Sequence, residues 1–189
     1  MKAFDRTVPF YDGFMQRMGL YQSATLINWL NLKGTEKVLD LGGGTGYNSH
    51  QLSSHCKEVV LLDESQAMVK KARKYKSFTC VRSSALNTPF QNNSFDIVVM
   101  ADLFHHIKNQ VAVIREIWRL LKPGGLLLVQ DFVTTHPYTS LLRIFESLLF
   151  GILYFKSPRK IRSIISSQGF ILEREEAQKH FLFQLWRKV

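Results

Sequence analysis

Cysteine is scarce in this chain. There are two in 189 residues, Cys56 and Cys80, at a spacing that no metal site uses. That excludes a disulfide framework and points to a reducing compartment, so a cytoplasmic location is expected. No run of 18 or more uncharged apolar residues exists, and no spanning helix is expected. The first residues lack the basic, apolar, small-residue order of a secretory signal, so none is expected. Acid is also under-represented: 15 Asp and Glu face 25 Lys and Arg, a net charge of +10. Such an excess can serve solubility, an anionic membrane surface, an anionic substrate or nucleic acid. Part of it is clustered. "KKARKYK" (Lys70–Lys76) holds five basic residues and "KSPRKIR" (Lys156–Arg162) four more. A solvated helix face is the expected role of each.

What is present is a regular alternation of apolar runs and helical patterns. Alternation of that kind predicts an α/β fold with a parallel sheet covered on both faces. "KVLDL" (Lys37–Leu41), "EVVLLD" (Glu58–Asp63), "SFTCVRS" (Ser77–Ser83), "NNSFDIVVMA" (Asn92–Ala101) and "LLLVQDF" (Leu126–Phe132) supply five strands. Cys80 falls in the third as a small core residue. Helices follow at Tyr47–His55, after Ser65 as cap with Ala67, Met68 and Ala72 inward, and at Gln110–Leu121. The last of these repeats apolar residues every 3.6 positions. "KPGG" (Lys122–Gly125) stops it, since proline cannot continue a helix and glycine accepts the reversal. Tyr138–Phe155 is strongly apolar and reads as one helix or two short ones. Ser157–Ser167 is amphipathic and ends at Gly169. "FILEREEA" (Phe170–Ala177) and "HFLFQLWRK" (His180–Lys188) alternate at the strand period, two residues apart, and predict an antiparallel hairpin. The first thirty residues hold no strand. Leu20–Leu30 reads as a helix, and Phe4, Phe10, Tyr11 and Phe14 precede it.

The stretch "VLDLGGGTG" (Val38–Gly46) carries the chemistry. A glycine-rich turn between strand and helix lets a ligand press on bare backbone. Gly42, Gly44 and Gly46 give G-x-G-x-G, whereas the dinucleotide fingerprint wants G-x-G-x-x-G and meets Tyr47 instead. No Gly-Lys-Ser/Thr ends the loop, which excludes a P-loop. Asp63 ends an all-apolar strand 21 residues after Gly42. A carboxylate there can accept both hydroxyls of an adenosine ribose, in NAD or in any other adenosine cofactor.

Together, "VLDLGGGTG", the terminal acid of "VVLLD", "ALNTPFQNNSFDIVV" and "LLKPGGLLLV" resemble a class I S-adenosylmethionine-dependent methyltransferase. The type is the small-molecule group that includes quinone-biosynthesis C-methyltransferases. The resemblance covers Lys37–Phe132 and implies a Rossmann-like, doubly wound, mostly parallel seven-stranded sheet closed by the C-terminal antiparallel hairpin. One domain, 1–189, is expected: an N-terminal helical lid (1–34), a cofactor-binding core (35–132), a helical insertion covering the acceptor (136–168) and the hairpin (169–189). The cofactor implied is S-adenosyl-L-methionine, the product S-adenosyl-L-homocysteine, and no metal is expected.

Residue by residue, the resemblance places Asp40 at the methionine ammonium end and Gly42, Gly43 and Gly44 under the cofactor. It places Asp63 on the ribose, and Ser84 and Ala85 near the adenine. Met100 and Ala101 pass beside the cofactor and bring Asp102 to the mouth of the site. Ser84 departs from the family, which has an acid there; a hydroxyl meets the adenine amino group more weakly.

Methyl transfer from a sulfonium needs alignment and exclusion of water, and a base only where the acceptor must lose a proton. His105 and His106 in "DLFHHI" are base candidates, with packing against the next helix as the competing role. Asp131 is another candidate. Tyr11 matches a "YD" pair of the quinone-type enzymes, with core packing as the alternative. The aromatic N-terminal segment and "SLLRIFESLLFGILYF" (Ser140–Phe155) favour a small, hydrophobic acceptor, with peripheral membrane contact as another use of the latter. An RNA or DNA methyltransferase and a non-catalytic cofactor-binding module remain as alternatives. The first rests on the net charge and lacks a nucleic-acid module or an "NPPY"-type tetrapeptide; the second rests on Ser84.

Overall fold

A computed structural model of the chain describes the backbone of residues 2–133, 147 and 152–189, and the side chains of all of these except 2–7, 9 and 10. Strand positions follow the apolar runs closely. β1 (Lys37–Leu41) and β2 (Glu58–Asp63) coincide with the two expected strands, β3 (Thr79–Arg82) and β4 (Phe95–Ala101) fall inside theirs, and β5 (Leu121–Phe132) begins earlier. β6 (Phe170–Gln178) and β7 (Phe181–Lys188) form the antiparallel hairpin. The sheet has seven strands in the order β3-β2-β1-β4-β5-β7-β6, Rossmann-like and mostly parallel.

Backbone packing divides the chain into two compact units, Met1–Pro89 and Phe90–Val189. In the first, α1 (Lys2–Arg17) and α2 (Ser23–Leu30) precede the strands, and α3 (Tyr47–Leu52) and α4 (Gln66–Ala72) alternate with them. β1 and β2 run parallel with Leu41 opposite Leu62, and β2 and β3 run parallel with Asp63 opposite Arg82. The loops after β1, β2 and β3 therefore leave from one edge. Ser65 caps α4 by accepting the Met68 N–H at 3.2 Å, and Met68 and Ala72 are buried beneath it, as the pattern requires. Ala67 is half-buried, and Val69 takes its place in the core, packing with Ala72 on Leu61. Cys80 packs on that cluster without being fully buried.

In the second unit, α5 (Gln110–Leu120) buries Val113, Ile114, Ile117 and Leu120 completely. β4 and β5 are parallel, with Ala101 opposite Gln130. "KPGG" does stop the helix, but it lies inside β5 as an irregularity: Leu121 already pairs with Phe95 before Ile97 pairs with Leu126. Gly125 is required there, since a Cβ would meet the carbonyl oxygens of Lys122 and Asp96 at 2.9 and 3.0 Å. Most of the apolar segment 138–155 lies outside the described residues. Its end, 152–155, is not helical, nor are 156 and 157. The Tyr154 N–H donates to the His105 carbonyl at 2.6 Å, and the Gln110 side chain donates to the Tyr154 carbonyl at 2.9 Å, so this backbone is committed elsewhere. α6 (Pro158–Ser166) follows, capped by Ser157, with Pro158 at its first position. Gly169 ends the segment in the left-handed region, at φ +87°. Among the described residues no helix is long and apolar enough to cross a membrane.

Candidate functional site

In the first unit the glycine loop is held from several sides. Gly42, Gly44 and Gly46 have φ of +76°, +56° and +83°, a conformation that side chains disfavour. The Gly42 N–H donates to the Leu62 carbonyl at 2.7 Å, which ties the loop to β2. Gly43 is required for a different reason. A Cβ there would lie 2.7 Å from Asp40 Oδ2 and 2.8 Å from two carbons of Leu61. At Gly44 no atom lies within 4 Å of the same point.

Asp40 is 1% exposed at the end of β1, and its Oδ2 accepts the Ser49 hydroxyl at 2.6 Å. Burial pushes its carboxyl up to about 6; the Ser49 hydrogen bond opposes this and the Asp63 charge adds to it. Asp63 ends β2, and both its oxygens take backbone donors: the Gly44 N–H at 3.0 Å on Oδ2 and the Ser65 N–H at 2.8 Å on Oδ1. Burial raises its pKa, helped by the Glu64 charge, while the N–H groups of Ser65, Gly44 and Glu64 pull it down. With the Glu64 N–H as a third backbone donor, about one of the carboxylate's four acceptor sites stays open to a hydroxyl. Ser84 and Ala85 are half-buried just after β3, and the Ser84 hydroxyl oxygen accepts the Leu86 N–H at 3.2 Å.

Tyr11 is half-buried on α1. Its neighbour Asp12 makes several contacts. Oδ1 accepts the hydroxyls of Thr45 and of Tyr21, the latter at 2.6 Å, and Oδ2 faces Lys71 Nζ at 2.9 Å and Lys74 Nζ at 3.6 Å. Tyr21 also stacks on Tyr47, ring centroids 4.0 Å apart. Two lysines of "KKARKYK" are thus engaged with an acid, which the expected solvated face did not anticipate. Sequence reading missed Asp12, Tyr21, Thr45 and Ser49. Asp12 stood in the quoted "YD" pair and Thr45 in "GGGTG", but nothing in one dimension says that they meet.

In the second unit the parallel register of β4 and β5 brings their last acids together. Met100 is fully buried and Ala101 half-buried. Asp102 follows at φ +56°, its N–H donating to the Gln130 carbonyl at 3.0 Å. His105 lies in a 3₁₀ turn, Phe104–His106, and its Nδ1 sits 2.7 Å from Asp131 Oδ1. That oxygen also accepts the Phe132 N–H at 2.7 Å. A carboxylate on Nδ1 selects the tautomer that carries its proton there and leaves Nε2 as the basic nitrogen. The His105 ring is fully buried, stacked on Phe155 at 4.3 Å and edge-on to Phe132 at 5.7 Å. His106 is half-buried; burial, then the charge of His105, holds it well below the usual histidine range, so it is neutral at pH 7. No metal was expected. Among the described residues, however, donor atoms of Asp102, His105 and Asp131 lie within 4.8 Å of one another, a set of types a cation can use.

Residues 39–129 match a family model described as a methyltransferase domain. With the Rossmann-like sheet, this match supports a class I S-adenosylmethionine-dependent methyltransferase domain. It is 38% identical over 105 residues to a demethylmenaquinone methyltransferase of Corynebacterium kroppenstedtii, covering 56% of this chain and 45% of that one. It is 37% identical over 129 residues to an uncharacterized methyltransferase-like protein of Schizosaccharomyces pombe, covering 67% and 50%. The chain spans about half the length of the curated relatives it matches. In fold it is similar to an S-adenosylmethionine-dependent methyltransferase of Thermotoga maritima, with a TM-score of 0.84 over 100% of this chain and 99% of that one at 18% identity.

Proposed function

We propose that this chain transfers the methyl group of S-adenosyl-L-methionine to a small apolar acceptor of the demethylmenaquinone type. The observation that carries the reading is Asp63, held by the Gly44 and Ser65 amides at the end of β2, inside the segment that matches the methyltransferase domain. Held by two amides, the carboxylate is already oriented before a diol arrives, so little side-chain entropy remains to be lost on binding. In this reading Gly42, Gly43 and Gly44 form the floor under the cofactor, Asp40 serves its ammonium end, and Ser84 and Ala85 its adenine. Met100 and Ala101 carry β4 past it, and the half-buried Tyr11 belongs to the covering segment 1–34.

When bound, the cofactor supplies a sulfonium-activated methyl group, and the protein's part is alignment and exclusion of water. His105 is the proton acceptor for an acceptor atom that must be deprotonated, and Asp131 balances the imidazolium that results. His106, kept neutral, adds no competing charge beside it. The apolar acceptor is supported by the rings of Phe132 and Phe155 around His105 and by the activity named for the Corynebacterium relative. Residues 136–168 complete its cover in this proposal. The engagement of Lys71 and Lys74 with Asp12 removes part of the support for a nucleic-acid substrate.

S-adenosylhomocysteine at 100 times its Kd should stabilise the chain by about 2.7 kcal/mol. That corresponds to a rise of about 5–11 °C in Tm for a domain of this size. Asp63→Ala should abolish most of the rise. Label from methyl-tritiated S-adenosylmethionine should then appear in demethylmenaquinone. A shift without transfer to any member of an acceptor panel would favour the non-catalytic module.

A further inference from the structure

We propose that Asp12 positions the glycine loop for its ligand, one carboxylate oxygen holding Thr45 of the loop and the other facing Lys71 of α4 and Lys74 just beyond it. The inference rests on the reading of that loop as the cofactor's floor.

Four observations within the first unit converge on it. Of residues 42–46 only Thr45 has a side chain, so its hydroxyl is the one side-chain handle on an otherwise bare loop. Thr45 is 2% exposed and stands between Gly44 and Gly46, both at positive φ. That hydroxyl donates to Asp12 Oδ1, which the Tyr21 hydroxyl shares at 2.6 Å. On the far side, Lys71 Nζ lies 2.9 Å from Oδ2 and also donates to the Val8 carbonyl at 2.8 Å, gripping α1 at two places one turn apart. Lys74 adds its charge at 3.6 Å.

The physical need is plain. A run of glycines has more backbone freedom than any other sequence, and ordering it on ligand binding opposes affinity. Asp63 holds the loop at the Gly44 N–H, and Asp12 holds it at the next residue from the direction of α1. Two fixed points at adjacent residues leave the loop little freedom to lose. Burial pushes the Asp12 carboxyl up, but hydrogen bonds from Thr45, Tyr21 and Lys71 outweigh it, so Asp12 is ionised at neutral pH. Lys71 of α4 and the following Lys74 therefore serve to keep α1, and with it Asp12, in register with the loop.

Titration calorimetry with S-adenosylhomocysteine on the full chain tests this, using D12A, T45V, T45S and the D12A/T45V double variant. A hydrogen bond to a charged group corresponds to roughly 10- to 150-fold in an equilibrium constant. D12A and T45V should each weaken binding about tenfold or more. T45S, which keeps the hydroxyl, should bind like wild type. The double variant should be no weaker than the weaker single variant, because both remove one interaction. Amide exchange at residues 42–47 in the ligand-free protein should be faster in D12A and T45V than in wild type. Wild-type-like affinity or exchange in T45V, or losses that multiply in the double variant, would overturn the assignment. Should D12A fail to fold, T45V against T45S decides alone. Absence of binding by wild type would reject the cofactor reading, whereas Asp12 would still stand or fall on the exchange rates.

Discussion

Replacing Gly43 with alanine separates two reasons for glycine that the loop combines. The φ of Gly43 is not in the left-handed region, so alanine meets no backbone penalty there. The obstacle is space. The new Cβ would stand 2.7 Å from Asp40 Oδ2 and 2.8 Å from Leu61 Cγ and Cδ1, where about 3.5–4.0 Å is comfortable. Neither neighbour retreats easily: Asp40 holds the Ser49 hydroxyl at 2.6 Å, and Leu61 is fully buried on β2. Overpacking of this kind costs about 1–3 kcal/mol, and two blocked neighbours put it near the top. At about 2–4 °C per kcal/mol the Tm should fall by about 6–12 °C. Gly44→Ala is the control. It meets no atom within 4 Å but demands φ +56°, at a cost of about 1–2 kcal/mol. Shortening the obstacle distinguishes the two: Leu61→Val should offset part of the Gly43→Ala loss and none of the Gly44→Ala loss. Thermal melts followed by circular dichroism suffice. A Gly43→Ala protein melting within 1 °C of wild type, or additive losses with Leu61→Val, would refute the packing argument.

Three further outcomes follow from named contacts. The folded-state pKa of Asp40 is raised to about 6, so the native chain binds a proton between about pH 4 and 6 that the unfolded chain releases. Its contribution to stability therefore falls as pH rises through that window, by about 3 kcal/mol, and Asp40→Asn should flatten the slope and raise the ligand-free Tm at pH 7.5; parallel wild-type and variant curves would contradict this. Asp131→Asn should lower transfer to demethylmenaquinone by about 10²- to 10⁴-fold with S-adenosylhomocysteine affinity unchanged, and EDTA should not alter the wild-type rate; inhibition reversed by added cation would instead assign Asp102, His105 and Asp131 to a metal. Lys188 Nζ donates to the Leu121 carbonyl at 2.6 Å and to Asn93 Oδ1 at 3.0 Å and stands 3.9 Å above the Trp118 ring, so Lys188→Met should cost about 1–3 kcal/mol in a denaturant melt.

Local chemistry settled much of this protein before any coordinate. Apolar runs and the residues that break them located β1, β2 and α5 almost to the residue, because burial of a strand or helix face is a pattern of neighbours along the chain. The glycines after β1 and the acid ending β2 were legible for the same reason: each is a requirement at one position. The end of the apolar segment was not. Residues 152–155 read as helix from composition, and hydrogen bonds from Tyr154 to His105 and from Gln110 to Tyr154 direct that backbone elsewhere. The bend at "KPGG" likewise joined a strand whose partner, Phe95, lies 26 residues earlier.

The sequence by itself determined the alternation of strands and helices, the bare loop after β1 and the placing of Asp40 and Asp63, since these follow from period, side-chain size and spacing. Only the tertiary structure joined His105 to Asp131, 26 residues apart, and Asp12 to Thr45, 33 residues apart. Hydrogen bonds between distant side chains depend on register and on which helix packs where, and those are properties of the folded chain as a whole.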